Sequence, residues 1–292
     1  MKPIIKYCGG KQQLLDKIRE RLPENFNTYY EPFLGGAAVL LDLKPGSAVV
    51  NDINPELINM YIQVKENVES VISELTALDQ QHESKNEPKE YYYQVRKDFN
   101  QNLGSNTPKQ AARLIYLNKH CFNGLYRVNS KGEFNVPFNG KLDGKSFNAE
   151  HLQEVSSQIK SVDFMSVDFE EAVINTSSGD FVFLDSPYAP LTPTSFIDYT
   201  KEGFSYEDHL RLANLFKKLT DKGVYCMLTN HDTDLIRKLY KDFKIEVVDV
   251  RRSINRKGDS RTGKEVIITN YNPRSVSCCG VKCLDDYWIS RS

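Results

Sequence analysis

The chain has no excess of charge of either sign, since 38 Lys and Arg residues stand against 39 Asp and Glu residues. A protein that attracts a polyanion by its overall field is strongly basic, so any nucleic-acid contact here must come from local basic patches. No apolar run is long enough to cross a membrane, and the first residues, MKPIIKYCGGK, lack the apolar core of a signal peptide. We therefore expect a cytoplasmic protein with no membrane partner.

Cysteine is also scarce, with six residues in a chain of 292. Cys8, Cys121 and Cys226 are isolated, which is typical of small buried apolar residues in a reducing compartment. The other three lie close together between residues 278 and 283, without a CxxC pair or a neighbouring histidine. That spacing does not favour a zinc site, and we expect no metal.

The patterns that are present predict an α/β protein. With 40% hydrophobic and 26% charged residues, the composition is that of an ordinary globular chain. Strand-like segments at 29–31, 48–51, 162–165, 181–184, 224–229, 245–250 and 266–269 alternate with helix-like segments such as 12–22 and 205–219. Strands that alternate with helices indicate a mainly parallel sheet covered by helices.

A helical stretch interrupts this alternation after the second strand. One long helical pattern begins at 55 and continues past 68, residues 79–90 are polar and predict a loop, and another helix is predicted from 108 to 120. Residues 121–146 are rich in Gly, Asn and Phe and predict an irregular hairpin. We predict a catalytic domain of residues 1–56 and 148–272, an inserted domain of 57–147, and a tail of 273–292.

Two predicted strand ends carry features of a ligand site. The first strand is followed by the glycine loop PFLGGAA, and the second ends at Asp52, where an acid commonly binds two ribose hydroxyls. The loop is not GxGxxG, so a dinucleotide site is not favoured. Taken alone, a turn with two glycines and a surface acid would be the better interpretation.

The stretch FVFLDSPYAP, residues 181–190, places an acid at the end of a buried strand. The strand must stop near Asp185, because Pro187 cannot donate to a strand ladder. Tyr188 follows one residue later. An acid and an aromatic ring at one strand end suit a catalytic pocket, although a turn acid and a core aromatic are the structural alternatives.

Five short segments occur in an order that resembles a known family. They are KYCGGK at 6–11, EPFLGG at 31–36, NDIN at 51–54, VDF at 167–169 and DSPY at 185–188. Their order resembles the class alpha, D12 family of DNA adenine-N6 methyltransferases. NGLYRVNSKGEFNVPF at 123–138, TNHDTDL at 229–235 and VRRSINRKGDSR at 250–261 are similar to segments of the Dam group. The resemblance covers about residues 4–271.

This resemblance implies a Rossmann-like methyltransferase sheet with an inserted, mainly helical target-recognition domain. It implies S-adenosyl-L-methionine as methyl donor, double-stranded DNA as substrate, no metal, and methylation of N6 of an adenine flipped out of a GATC site. We expect a monomer. The residues that would bind the cofactor are Tyr7, Lys11, Phe33, Gly35, Asp52, Asp168, Phe169 and Asp185. Ala37 replaces the last glycine of the family's FxGxG loop.

The resemblance also assigns roles within DSPY. The Asp185 carboxylate and the Ser186 carbonyl would accept hydrogen bonds from the two N–H groups of the adenine amino group. Tyr188 would stack on the base. Ser186 departs from the usual Asp-Pro-Pro-Tyr, although Pro187 keeps the preceding residue extended. The serine would either loosen the turn or bond to Asp185 and misalign it. Two alternatives follow: a DNA-binding protein with the methylase fold and weakened or lost catalysis, or an RNA or protein-amide methylase, which the hairpin disfavours.

Several residues are expected to contact DNA. Arg127, in the hairpin, would bind guanine O6 and N7, and Lys6 would read an outer base pair. The wedge that fills the gap left by the flipped base would be Phe122, Asn123 and Leu125. Basic residues between 251 and 264, beginning with Arg251 and Arg252, would bind phosphates. For any single one of these charges a solvated surface position is an equal alternative, but the match of the whole hairpin favours contact for Arg127.

Overall fold

The computed structural model describes residues 1–7, 11–84, 87–141, 144–191, 204–251 and 262–272, without the side chains of 251 and 262. Within these ranges seven strands form one sheet in the order β3-β2-β1-β4-β5-β7-β6. The strands are β1 Tyr29–Glu31, β2 Ala48–Asn51, β3 Val162–Met165, β4 Phe181–Leu184, β5 Tyr225–His231, β6 Lys244–Arg251 and β7 Thr262–Thr269. The first five are parallel, and β7 pairs antiparallel with both β5 and β6.

Ten helices accompany the sheet in the described part of the chain. They are α1 Leu15–Arg19, α2 Ala38–Leu43, α3 Pro55–Glu66, α4 Val68–Ser84, α5 Pro88–Gln101, α6 Pro108–His120, α7 Ala149–Gln158, α8 Phe169–Ala172, α9 Tyr206–Asp221 and α10 Asp234–Leu239. Short 3-10 turns lie at Lys11–Gln13 and Phe122–Gly124. The predicted α/β class, with its mainly parallel sheet, is confirmed.

The central strand β4 shows why the sheet is buried on both sides. All four of its residues are buried, and alternate residues face opposite directions. Phe181 and Phe183 belong to the core shared with the inserted helices, whereas Val182 and Leu184 belong to the core beneath α9. A parallel strand covered on both faces is a continuous apolar run that ends abruptly, and this one ends at Asp185.

Some predicted boundaries were wrong. The stretch 79–90 is not a loop, because α4 continues to Ser84 and α5 begins at Pro88. Most of its described polar residues are exposed, whereas Asp79 and His82 are buried on the side of α4 that also buries Leu75. The single long helix predicted from residue 55 is divided at Asn67 into α3 and α4. The helix predicted at 12–22 is shorter and begins at Leu15.

The inserted helices are joined to the sheet through α3. The Tyr61 ring on α3 stacks on Phe164 of β3, with 5.7 Å between ring centroids. Its hydroxyl donates to the Gly35 carbonyl in the glycine loop, at 3.2 Å. The division into a catalytic domain of 1–56 and 148–272 and an insertion of 57–147 stays a prediction. None of the helices in the described ranges is long and apolar enough to span a membrane.

Candidate active site

The carboxyl ends of β1, β2 and β4 open into one cavity of about 760 Å³. In an open parallel sheet this edge is where ligands bind, because the strand ends diverge there. All the residues to which cofactor or catalytic roles were assigned line this cavity. They are Tyr7, Lys11, Phe33, Gly35, Asp52, Asp168, Phe169, Asp185, Ser186, Pro187 and Tyr188.

The Asp185 carboxylate, which directly follows β4, is held by two donors. Lys11 Nζ lies 2.7 Å from Asp185 Oδ1, and both side chains are largely buried. Thr229 Oγ1, on β5, donates to the same oxygen at 2.8 Å. Two donors on Oδ1 fix the orientation of the carboxylate in the cavity wall.

Tyr188 packs beside this carboxylate. Lys11 Nζ lies 4.7 Å from the centroid of the Tyr188 ring, within the range of a cation–π contact. The phenol donates to Glu265 Oε2 on β7 at 2.8 Å, and the ring meets the His231 ring edge to face at 4.8 Å. Burial, with the nearby charges of Asp185 and Glu265, raises the pKa of Tyr188 well above its ordinary value. The phenol therefore keeps its proton.

Ser186 is buried, with 2% of its surface exposed. Asn230 Nδ2 donates to the Ser186 hydroxyl oxygen at 3.5 Å, so this contact is weak, and its partner is Asn230 rather than Asp185. The side-chain oxygen Oδ1 of Asn230 accepts from the backbone amides of Ala189 and His231, each at 2.9 Å. One β5 side chain therefore fastens the chain that follows DSPY.

The glycine loop and Asp52, which follow β1 and β2, form another part of the cavity wall. Asp52 Oδ2 accepts from the Gly35 amide at 2.9 Å, and Oδ1 accepts from the Asn54 amide at 3.0 Å. Burial raises the pKa of Asp52 above its ordinary value, and these two amide bonds oppose the rise. Gly35 has a φ of 49°, and a Cβ there would lie 3.1 Å from the Tyr7 ring. Ala37 also has a left-handed φ, of 57°, which explains why glycine suits this position.

The residues that follow β1 and β3 make another part of the cavity wall aromatic, with charged side chains beside the rings. Phe33 lies 5.4 Å from Phe169 and 5.8 Å from Phe204 between ring centroids. Asp168 caps α8 and pairs with Arg211 of α9 at 2.7 Å. The Arg211 guanidinium also lies 4.7 Å above the Phe169 ring. Flat rings beside a carboxylate suit a purine that has an exocyclic amino group.

Glu31, at the end of β1, is a further carboxyl group in the cavity wall. It is 2% exposed, and the Tyr29 hydroxyl donates to its Oε2 at 2.9 Å. Burial raises the pKa of Glu31 to about 8, and the nearby Asp185 charge acts in the same direction. Near neutral pH Glu31 is therefore mainly protonated and adds little negative charge to the cavity wall.

Comparison with known proteins agrees with this geometry. Residues 7–254 match the D12 class N6 adenine-specific DNA methyltransferase family. The chain belongs to this family. It is 45% identical over 278 residues to the Type II methyltransferase M1.LlaDCHI of Lactococcus lactis subsp. cremoris, covering 93% of this chain and 96% of that protein. It is 42% identical over 287 residues to the Type II methyltransferase M.MjaIII of Methanocaldococcus jannaschii, covering 93% and 99%. It is 33% identical over 275 residues to the DNA adenine methylase of Escherichia coli (strain K12), covering 94% and 96%.

The methyltransferase carries its hairpin on the inserted helices. Backbone bridges join Cys121 to Phe138 and Val128 to Phe134. Asn100 of α5 bonds to both backbone groups of Phe134, at 2.9 and 3.0 Å. The irregular hairpin predicted at 121–146 therefore exists, and it is anchored to a helix that was predicted in part as a loop.

Arg127 projects from this hairpin and is exposed. Its Nε donates to Asn135 Oδ1 on the opposite strand at 2.7 Å. This bond fixes the plane of the guanidinium without burying it. Such a side chain can present its remaining N–H groups to a partner in two parallel bonds.

The start of the hairpin is tied to the N-terminal segment by Asn118. The Asn118 side chain accepts from the Lys6 amide at 2.9 Å and donates to the carbonyls of Lys6 and Gly124, at 2.8 and 3.1 Å. The exposed side chains of Lys6, Phe122 and Asn123 consequently share one region of the surface, and Leu125 is half-buried beside them. Asn123 has a left-handed φ of 57° in this turn.

Part of the predicted DNA-contacting loop cannot be placed. Arg252 and residues 253–261 lie outside the described residues, as does the side chain of Arg251. Lys264, on β7, is described and exposed. The phosphate-binding role of residues 251–264 stays a prediction.

The structure adds residues to the site that the sequence reading left without a role. They are Glu31, Phe204, Arg211, Thr229, Asn230 and Glu265. Glu31, Thr229 and Asn230 lie in EPFLGG and TNHDTDL, so the resemblance already pointed to their segments. Glu265 and Arg211 carry no local signal, since only the pairing of β5 with β7 brings Glu265 to Tyr188 and only the packing of α9 brings Arg211 to the cavity.

Proposed function

We propose that this methyltransferase transfers a methyl group from S-adenosyl-L-methionine to N6 of an adenine flipped out of duplex DNA, within the sequence GATC. One observation carries the proposal. Asp185 and Tyr188, which follow β4, line the same cavity as the aromatic rings and acids that follow β1, β2 and β3, among them Phe33, Asp52 and Asp168. A cavity with both parts can bring a methyl donor and an adenine together.

The residues that follow β1, β2 and β3 fit the methyl donor. Phe33 and Phe169 offer faces for the adenine of the cofactor, and Asp168 offers an acceptor for its amino group. Asp52 lies where the ribose hydroxyls would be bound. The close packing of Gly35 against Tyr7 leaves no room for a larger side chain in this wall, so the backbone itself would approach the ligand. The cofactor supplies an electrophilic methyl group on a positively charged sulfur.

The residues that follow β4 suit the amino group of the adenine that is methylated. Its nitrogen is a poor nucleophile because its lone pair is delocalised into the ring. Asp185 would accept a hydrogen bond from one N–H group. The backbone carbonyl of Ser186, a residue that Pro187 keeps in an extended conformation, would accept from the other. As the N–C bond forms, positive charge develops on the nitrogen, and acceptors that are already in place stabilise it without rearrangement.

The contacts around Asp185 support this role. Thr229 and Lys11 hold Oδ1, so the carboxylate that lines the cavity has a fixed orientation. The Lys11 ammonium lies over the Tyr188 ring and beside the carboxylate, where it balances the buried negative charge. After transfer the surplus proton on N6 would pass to Asp185 and from there to solvent.

The proposal of GATC is supported by the hairpin and by the relatives. Arg127 is exposed, with its guanidinium plane fixed by Asn135, as a bidentate contact to guanine requires. Asn118 holds Lys6 beside the turn that carries Phe122. Relatives that include those of Escherichia coli and Vibrio cholerae are named DNA adenine methylase.

The test uses plasmid DNA and radiolabelled donor. Treatment with the protein should make the plasmid resistant to an endonuclease that cuts only unmethylated GATC. It should make the plasmid sensitive to one that cuts only methylated GATC. Label should enter a GATC duplex but not a matched duplex with GTAC, and the Asp185→Ala variant should transfer none. Binding to the GATC duplex without label transfer would favour a DNA-binding protein that has lost catalysis through Ser186. Label in GTAC and GATC alike would exclude the proposed specificity.

A further inference from the structure

We propose that Glu265 is a positioning residue for methyl transfer, which fixes the ring plane of Tyr188 through its phenol so that the flipped base meets a preset stacking surface. This inference rests on the proposed function, because it needs a base in the cavity. Glu265 lies on β7, 77 positions from Tyr188 in sequence, and no local motif connects the two.

The first step is the bond itself. The phenol oxygen lies 2.8 Å from Glu265 Oε2, and both side chains are half-buried. A hydrogen bond to a charged acceptor is stronger than one between neutral groups. The raised pKa of Tyr188 keeps the proton on the phenol, so the phenol stays the donor.

The second step is the geometry of the ring. A tyrosine side chain rotates about two bonds, and a ring fixed only at Cα can swing about both of them. The phenol bond holds the far end of Tyr188, and the His231 ring blocks one side at 4.8 Å between centroids. His231 and Glu265 are directly opposed in the β5–β7 ladder, so one strand pair supplies both constraints.

The third step is what the constraint accomplishes. Aromatic stacking on a flipped base is most effective when the ring is already in place, because ordering it upon binding costs conformational entropy. A Tyr188 ring without its phenol anchor should still bind the base, but in more than one orientation. The loss should therefore appear in the rate of transfer rather than in the affinity for donor or duplex.

The test is a double-mutant cycle with Glu265→Ala, Tyr188→Phe and the double variant. Single-turnover methylation of a GATC duplex, at saturating DNA and donor, should slow about tenfold for each single variant, as expected for loss of a charge-assisted hydrogen bond. The double variant should be no slower than the slower single variant. Dissociation constants for the duplex and the donor should change less than about twofold.

Two further variants complete the design. Glu265→Gln keeps an acceptor oxygen and should recover most of the rate lost in Glu265→Ala. Asp249→Ala removes a carboxylate from the neighbouring strand β6 and is the control for charge removal, with an expected rate equal to that of the parent. If Glu265→Ala is misfolded, the same cycle is measured with Glu265→Met, which removes the acceptor but keeps a long side chain.

A duplex with 2-aminopurine at the target position reports stacking directly. Its fluorescence rises when the base leaves the helix and falls when the base stacks on Tyr188. Glu265→Ala should broaden the distribution of fluorescence lifetimes, and Glu265→Gln should restore it. The proposal is overturned if Glu265→Ala slows the Tyr188→Phe protein as much as it slows the parent, or if it does not differ from Asp249→Ala.

The failure of this inference can be told apart from failure of the proposed function. The same cycle is measured on the free energy of unfolding in urea, which needs no DNA. A parent protein that transfers no methyl group would refute the function while leaving the coupling measurable. Absence of coupling in unfolding would refute the anchor even in an active enzyme.

Discussion

Lys11 and Asp185, which are 174 positions apart, form an ion pair of 2.7 Å in the wall of the cavity. A cation from the N-terminal segment therefore lies beside the carboxylate that follows the central strand β4. The side chains are 7% and 17% exposed, so water screens the pair only weakly. This pair joins a residue that was assigned to the cofactor to one that was assigned to catalysis.

The Lys11 pair predicts strong coupling between the two residues. Lys11→Met should lower the free energy of unfolding by about 1–3 kcal/mol, because it leaves the Asp185 carboxylate largely buried without its cation. In the Asp185→Asn background the same change should cost much less. Urea unfolding of the four proteins measures this. Equal losses in both backgrounds would mean that Lys11 stabilises the fold through other contacts.

Asp185 itself should separate binding from chemistry. Asp185→Ala should abolish methyl transfer and weaken donor binding only in part, because the acceptor acts mainly in the transition state. Isothermal titration with the donor and single-turnover assays measure the two quantities. Thr229→Val is the matched partner, since it removes one donor to Oδ1 and should slow transfer to a smaller extent. An alanine variant that works within a few-fold of the parent would show that the catalytic assignment is wrong.

Glu31 predicts a pH dependence of stability. Its folded-state pKa of about 8 lies above the ordinary value of 4.5, so the folded protein keeps a proton that the unfolded chain loses. The stability of the parent should therefore fall as pH rises from about 5 to 8, by up to about 1.4 kcal/mol per pH unit from this group. Glu31→Gln removes the term, so its stability relative to the parent should improve with pH. Parallel curves for the two proteins would contradict this.

The comparison of sequence and structure explains which parts of the site were predictable. Asp52 and Asp185 were found because each ends a short apolar strand, and parallel strand ends meet at one edge of a sheet. Glu265 was not found, because its role depends on the antiparallel pairing of β7 with β5, a contact that no local pattern encodes. The boundary between α4 and α5 was missed because polar residues on an exposed helix face resemble a loop.

Arg127 should carry sequence discrimination. Arg127→Ala should reduce discrimination at one guanine by about 1–3 kcal/mol, the value of a good bidentate contact. Asn135→Ala, which frees the guanidinium plane, should have a smaller effect of the same kind. Lys264→Ala is the control, and it should weaken binding to all sequences and reduce the salt dependence. Competition binding with single-base variants of GATC measures both. A uniform loss for Arg127→Ala would reassign it to phosphate.

Ser186 permits a test of what the departure from Asp-Pro-Pro-Tyr does. Its hydroxyl oxygen accepts from Asn230 Nδ2 at 3.5 Å, which is too long for a strong bond, and the contact is with Asn230, so misalignment of Asp185 is not the expected effect. If the serine only loosens the turn, Ser186→Pro should raise the single-turnover rate a few-fold, because a compatible proline recovers about 0.4–1 kcal/mol of order. Donor affinity should hardly change, since the proposed partner of the Ser186 carbonyl is the target base and not the donor.

Ser186→Ala is the matched variant for that experiment. Alanine removes the hydroxyl without adding rigidity, so its rate should stay close to that of the parent while the proline variant gains. Should alanine raise the rate as much as proline does, the hydroxyl disturbs the site and the looseness interpretation is wrong. If both variants lose activity, the weak contact with Asn230 contributes to the catalytic geometry, and DSPY is then a working form of the motif in which β5 provides the restraint that proline provides elsewhere.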